Sequence, residues 1–273
     1  MMRALYTAAS GMKGQQTNVD TIANNISNVN TVGYKTQSTQ FKSLLYQTLQ
    51  STSTTANGAT KPTSAQVGLG TRVSSINSIF TQGEITPSDS NSAVAVSQGS
   101  GFFGVQDANG EMQYTRNGDF VWAVDADGRS VLTNSMGYYV MDSNNKKITL
   151  GKGIPTDTVS IGSDGSIAYK DNTGAYVDTG VDIGLWQFQN PTGLEKTANS
   201  LYRETEASGQ AMNESTAQGI TRSTIAQGYL EASNVDVATE MVNLIIAQRA
   251  YELNSKAITT SDTMLEQANN LKR

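Results

Sequence analysis

Apolar residues at both ends of this 273-residue chain keep a seven-residue interval that its middle lacks. Leu5, Met12, Val19 and Ile26 form one comb, with Ala8, Gln15, Ile22 and Val29 on the companion stripe. Leu230, Val237, Leu244, Tyr251, Ile258 and Leu265 repeat the interval at the far end. A strict period of seven selects helices that supercoil against partner helices, because one seam then faces the neighbour turn after turn. Two terminal helices must therefore find partners across whatever the middle builds. That requirement suits a building block better than a catalyst.

The N-terminal helix is expected over residues 3–29, interrupted by Gly11 and Gly14, each costing roughly 0.5–1 kcal/mol relative to Ala. Such a helix is marginal alone. Asn24, Asn25, Asn28 and Asn30 erode helix propensity, and Gly33 supplies a stop. The last helix is expected from near Gln227 almost to the end, ~43 residues and about 65 Å long. A compact globule of this chain length is only about 48 Å across, so an elongated molecule is expected. Val242-Asn243-Leu244-Ile245-Ile246-Ala247 is apolar nearly all round. It should be buried on several sides, including by neighbouring subunits. Leu5, Met12, Val19, Ile26, Leu230, Val237, Met241, Leu244, Ile245, Tyr251, Ile258 and Leu265 are the expected subunit-interface residues.

Residues 36–50 hold a short amphipathic stretch with Phe41, Leu44, Leu45 and Leu49. Ser51 to Ser64 is Ser-, Thr-, Ala-, Asn- and Gly-rich with Pro62, a loop or extended arm unable to build a core of its own. From Val67 the reading is of short strands separated by turn dipeptides such as Asn109-Gly110, Asn117-Gly118, Asp127-Gly128 and Asp164-Gly165. An antiparallel β domain of roughly 100 residues is expected. The fold class is α+β, with an inner helical domain from 1–35 and 227–273. An intermediate extended or β region from 36–95 and 198–226 carries the arm, and 96–197 form an outer β domain.

A net charge of −5 without a Lys/Arg cluster argues against nucleic acid. Cys and His are absent, which removes disulfides, thiolate and imidazole metal ligands and every Cys- or His-based catalytic constellation. No apolar run approaches the ~18 residues needed to span a bilayer. Met1 to Gly14 lacks a continuous apolar core, so no Sec-type signal peptide is expected.

Gly99-Ser100-Gly101-Phe102-Phe103-Gly104 matches GxGxxG, but the sequence continues as a strand where a nucleotide site needs a helix N-terminus. Asp125-Ala126-Asp127-Gly128 opens like a calcium loop, yet Met136 stands where a ligating Glu belongs, so a turn is expected. Nothing fixes a separation between any two of Glu84, Asp89 and Glu111, leaving no glycosidase pair. Trp122, Tyr139 and Trp186 read as core or sheet residues rather than a sugar groove. No catalytic, cofactor-binding or metal-binding residue is expected, and no small-molecule substrate.

Several stretches resemble the axial (rod and hook) proteins of the bacterial flagellum. Ile22-Ala23-Asn24-Asn25-Ile26-Ser27-Asn28-Val29-Asn30-Thr31-Val32-Gly33-Tyr34-Lys35 is similar to the N-terminal signature of that family. Gln227 through Glu231, Ser233-Asn234-Val235, Met241-Val242, Gln248-Arg249-Ala250-Tyr251-Glu252 and Ser255-Lys256 match its C-terminal one. Leu44-Leu45-Tyr46-Gln47-Thr48, Ile79-Phe80-Thr81-Gln82-Gly83, Gly101-Phe102-Phe103, Tyr114-Thr115-Arg116 and Leu201-Tyr202-Arg203-Glu204-Thr205 are most like the distal-rod members. The resemblance implies a non-enzymatic subunit of a hollow helical homo-oligomer that transmits motor torque to the hook, with inner coiled-coil helices and an outermost β domain. It implies other rod proteins proximally, hook protein distally, ring proteins around the tube, and type III export to the cell envelope without a cleaved signal. It also implies a stiffening arm, residues 46–64, including Tyr46, Gln47, Thr48, Leu49 and Pro62. The alternatives are a hook or proximal-rod subunit and, remotely, a secreted carbohydrate-binding or carbohydrate-cleaving β protein.

Overall fold

The computed structural model describes residues 2–50, 64–151, 153–171, 174–217 and 219–271. The chain divides into two compact units: one from residues 1–27, 37–78 and 236–273, the other from 28–36 and 79–235. The class is α+β, with paired terminal helices and an extensive antiparallel β portion.

The first unit is built on α1 (Met2–Ser27) and α2 (Val237–Asn270). A Cβ on Gly11 would lie 2.9 Å from the Asn254 amide, and Asn25 donates to the Glu240 carboxylate at 3.1 Å. Early α1 thus meets late α2 and late α1 meets early α2, so the helices run antiparallel. Gly11 and Gly14 do not interrupt α1. They let neighbours close in, Asn254 at the first and the Phe41 ring, 3.1 Å from a would-be Cβ, at the second. A strand pair, β1 (Gln37–Ser43) with β4 (Thr71–Ser78), covers another side of α1. Between them β2 (Tyr46–Gln50) pairs with β3 (Ala65–Gly68), so the start of the expected arm is one side of a ribbon. Residues 51–63, with Pro62, lie outside the described residues.

α2 begins ten residues later than the sequence suggested. Residues 229–231 form a strand, and the helix starts after Asp236, whose side chain accepts from the Ala238 amide at 3.2 Å as an N-cap. Its 34 residues give a length of about 51 Å, not 65 Å. Leu230 therefore belongs to a strand and not to the helical comb.

The second unit contains β5 (Ile85–Pro87), β6 (Val94–Gln98), β7 (Phe102–Gln106), β8 (Met112–Thr115), β9 (Phe120–Val124), β10 (Ser130–Asn134) and β11 (Tyr139–Val140). It continues with β12 (Val159–Ile161), β13 (Ser166–Lys170), β14 (Tyr176–Asp182), β15 (Leu185–Gln187) and β16 (Glu195–Lys196). Last come β17 (Leu201–Arg203), β18 (Met212–Asn213), β19 (Thr224–Gln227) and β20 (Tyr229–Glu231). The main sheet runs β16-β17-β8-β7-β11-β10-β9, with β15 joining β7 to β18. β12-β13-β14 form a second sheet, while β19 returns to β6 and β20 to β5. Period-two alternation on β7 sends Phe103 and Val105 into a core with Val94, Phe120, Leu132 and Ile167. Phe102 goes to the opposite face, among Tyr114, Trp186, Phe188 and Tyr202. Gly104 follows Phe102 on that face, and a Cβ there would strike the Trp186 ring at 2.3 Å. The last glycine of the GxGxxG run thus makes room for an indole.

Tyr114 sits edge-on to Phe188 at 4.9 Å and to Trp186 at 5.9 Å between ring centres. Burial, with Glu204 adding to it, pushes its phenol up to about 12. Between the ordinary value of 10.0 and 12, the folded unit keeps a proton that the unfolded chain has released. Stability therefore falls as pH rises through that window. Denaturant titrations from pH ~9 upward should show this decline, and Tyr114→Phe should make it shallower.

Candidate assembly surfaces

The two terminal signatures meet in the second unit around one buried carboxylate. Glu231 Oε1 accepts from Lys35 Nζ at 2.6 Å and from the Gly83 amide at 3.0 Å. Lys35 also donates to the Thr81 carbonyl at 2.7 Å. Arg116 Nη1 stands 3.6 Å from Glu231 Oε2, an electrostatic contact too long for a hydrogen bond. The guanidinium also donates to the Gly99 carbonyl and lies 5.0 Å above the Phe102 ring. Desolvation pushes both the Lys35 ammonium and the Arg116 guanidinium below their ordinary pKa values, with Glu231 pulling each back up. Gly33 completes the contact. Its φ is +68°, its amide donates to the Glu231 carbonyl at 2.8 Å, and a Cβ would lie 2.6 Å from the Asn117 nitrogen. Asn234 ties the same strands: its Oδ1 accepts from Thr36 N and Oγ1, both at 2.7 Å, and its Nδ2 donates to the Ile79 carbonyl at 2.9 Å.

In the first unit the helices meet along a seam that is not leucine-rich. Gly11 and Asn25 are fourteen residues apart and face Asn254 and Glu240, also fourteen apart. That register sets Asn18 level with Ala247, which is 1% exposed. Asn25 also pairs with the Gln37 backbone, donating at 2.8 Å and accepting at 2.9 Å. A single amide thereby holds α1, α2 and β1.

The terminal segments match known families. Residues 5–35 match the family described as flagella basal body rod protein, and 226–271 match the C-terminal region of flagellar basal body rod FlgEFG proteins. Residues 96–169 match the D1 domain of flagellar hook protein FlgE/F/G. The flagellar basal-body rod protein FlgG of Borreliella burgdorferi is 42% identical across the whole of both chains. Its counterpart in Bacillus subtilis is 39% identical, again over the full length of both. A flagellar hook-basal body complex protein of B. subtilis, FlhP, is 30% identical over both complete chains.

The chain belongs to the flagellar basal-body rod protein family.

This rod protein is a structural, non-catalytic component of the axial rod, in the flagellar basal body outside the cytoplasmic membrane. The structure separates its sequence-expected interface residues by exposure and element. Leu5, Met12, Val19 and Ile26 on α1, and Val237, Leu244, Ile258 and Leu265 on α2, are half-buried. Val19 and Tyr251 line one shallow groove between the helices. Met241 and Ile245 are more than half exposed, at 53% and 57%, and Val242 and Ile246 join them. The segment 242–247 is therefore not covered on several sides within one chain; only Ala247 is fully buried. Leu230 pairs with Thr86 across β20 and β5. Of the arm residues, Tyr46, Gln47, Thr48 and Leu49 are all exposed. Asp125, the first residue of the calcium-like run, closes a turn with Gly128 and pairs with Lys147 at 2.6 Å.

The sequence did not reveal Glu231, Lys35 and Asn234 as one constellation, although each stands in one of the two terminal signatures. Nor did it reveal the helix seam, whose residues repeat at seven but are small or polar. Glu231→Ala should leave two buried cations facing each other without their shared anion. A loss of about 3–5 kcal/mol is expected, lowering the unit's thermal midpoint by about 10 °C. Calorimetry of the full-length variant measures it.

Proposed function

We propose that this rod subunit polymerises into the hollow helical tube of the distal rod and transmits motor torque to the hook. The inner layer is assigned to residues 1–35 with 227–273, the intermediate layer to 36–95 with 198–226, and the outer layer to 96–197. The supporting observation is the apolar surface of α2 that α1 leaves uncovered: Met241, Val242, Ile245, Ile246 and Leu253. Covering half-exposed side chains of this kind contributes about 1 kcal/mol each, a large sum once repeated along a helical lattice. In this reading Leu5, Met12, Val19, Ile26, Val237, Leu244, Tyr251, Ile258 and Leu265 set the seams of the inner layer. Other rod proteins abut the tube proximally, hook protein distally and ring proteins laterally, and the export apparatus delivers the unfolded chain.

Ile245→Asp is the direct test, because Ile245 is exposed in the single chain while Leu244 is half-buried. The monomer should keep its far-ultraviolet dichroism and melting temperature and yield no tubes by electron microscopy, since a carboxylate buried in the lattice costs several kcal/mol. Normal tubes from this variant would remove α2 from the interface.

The arm, residues 46–64, is proposed to stiffen the tube. Its ends are tied together by β2 and β3, and Leu45, Tyr46 and Leu49 stand in solvent in the single chain. Deleting Ser51 to Thr63 should permit export and polymerisation but give tubes with a broader distribution of curvature in micrographs. Deletion tubes as straight as the parent would reduce the arm to a linker.

A further inference from the structure

From Thr21 to Gly83 the chain contains no acidic residue, yet it carries Lys35, Lys42, Lys61 and Arg72. Lys35 is committed to Glu231. Lys42 and Arg72 lie directly opposite each other across β1 and β4. Directly opposed side chains share one face of a ribbon, and two like charges so placed are destabilising unless an anion lies over them. Phe41 turns its ring toward Gly14 of α1, so alternation along β1 turns Lys42, and Arg72 with it, to the opposite side. Both are exposed. The ion pairs among the described residues involve neither. Leu45, just before β2, and Tyr46 at its start are exposed, so an apolar anchor lies next to the two cations in the chain.

Charge is split unevenly between the units. The first has nine Lys and Arg against six Asp and Glu, a net +3; the second has ten against eighteen, a net −8. Carboxylates crowd one corner of the second unit, around the end of β14. Asp164, Asp178 and Asp182 are exposed there, and Asp142 accepts from the Asp182 amide at 3.2 Å. Burial, then repulsion from Asp142, Asp164 and Asp178, raises the Asp182 pKa, with Arg222 acting against them. The corner therefore holds negative charge that its own unit leaves largely uncompensated.

We propose that the Lys42–Arg72 face of one subunit docks on the Asp178–Asp182 corner of a second copy of this chain. The proposal rests on the rod reading and assigns it a specific electrostatic contact. Opposite potentials set register and suppress wrong partners more than they add affinity, which is what a lattice with one permitted geometry requires. The contact should weaken as salt is raised.

The test uses full-length protein and three variants: Lys42→Glu/Arg72→Glu, Asp178→Lys/Asp182→Lys, and all four changes in one chain. Each should fold as the parent does by circular dichroism, since all four side chains are exposed. Each double variant alone should need about tenfold or more higher concentration to form tubes. An equimolar mixture of the two double variants should assemble near the parental concentration, because each then meets an opposite charge on its neighbour. Parental assembly by either double variant alone would overturn the proposal. So would a mixture that fails while the fourfold variant succeeds, because the contact would then lie within one chain. Failure of both mixture and fourfold variant would show that these carboxylates are not the partner of the cations. Failure of the unaltered protein to form tubes would sink the proposed polymerisation itself, a different result from any of these.

Discussion

One buried carboxylate ties together, within the second unit, the stretch after α1 and the stretch before α2. Glu231 faces two cations, so neither Lys35 nor Arg116 has lost water without an anion to face. The arrangement is expensive by nature, since three charges are buried in one place and oppose desolvation only through geometry. Its specificity follows from that expense. A segment carrying a different residue at 35 or 231 would leave a charge stranded. The loop at Gly33, the turn at Gly83 and the strand at 229–231 are thereby fixed relative to one another. Asn234 then repeats the device with neutral groups, using both ends of an amide to join residues 36, 79 and 81.

The helical unit rests on a related principle. α1 and α2 approach through glycine, amide and alanine positions, and apolar residues flank that seam. Close approach of two backbones favours small side chains, and leucines beside the seam stay partly uncovered when only two helices are present. Half-burial of Leu244, Ile258 and Leu265, next to Met241, Val242, Ile245 and Ile246 at more than half exposure, leaves an apolar face on α2 that α1 does not cover.

Much of this was legible from the chain alone. Seven-residue combs marked both helices, and Asn109-Gly110, Asp127-Gly128 and Asp164-Gly165 marked hairpins; Asn117-Gly118 did not, because β8 and β9 on either side of it pair elsewhere and the Gly118 carbonyl accepts from the Val94 amide. Two readings failed for identifiable reasons. Leu230 sits seven residues before Val237 and extends the comb by coincidence, while pairing with β5 claims residues 229–231 for a strand. Asp236 was the available start signal: an acidic residue just ahead of the periodic run is an N-capping position. The seam carries no apolar signal: Gly11, Asn25, Glu240 and Asn254 keep the same interval with polar or absent side chains. Pairing of Lys35 with Glu231 could not be read locally at all, since it joins residues 196 apart.

That separation has a consequence for the order of events in folding. Closing a loop of this length carries an entropic cost that grows only as the logarithm of length, but the contact cannot exist until its second half is present. A chain emerging with its N-terminus first would hold Lys35 in water, fully hydrated, while some two hundred further residues followed it. The β portion would meanwhile lack β19 and β20, which pair with β6 and β5. Topologies dominated by such distant pairings fold slowly. The position of Glu231 thus acts as a clock: the middle of the molecule can complete its structure only when the end of the chain has arrived.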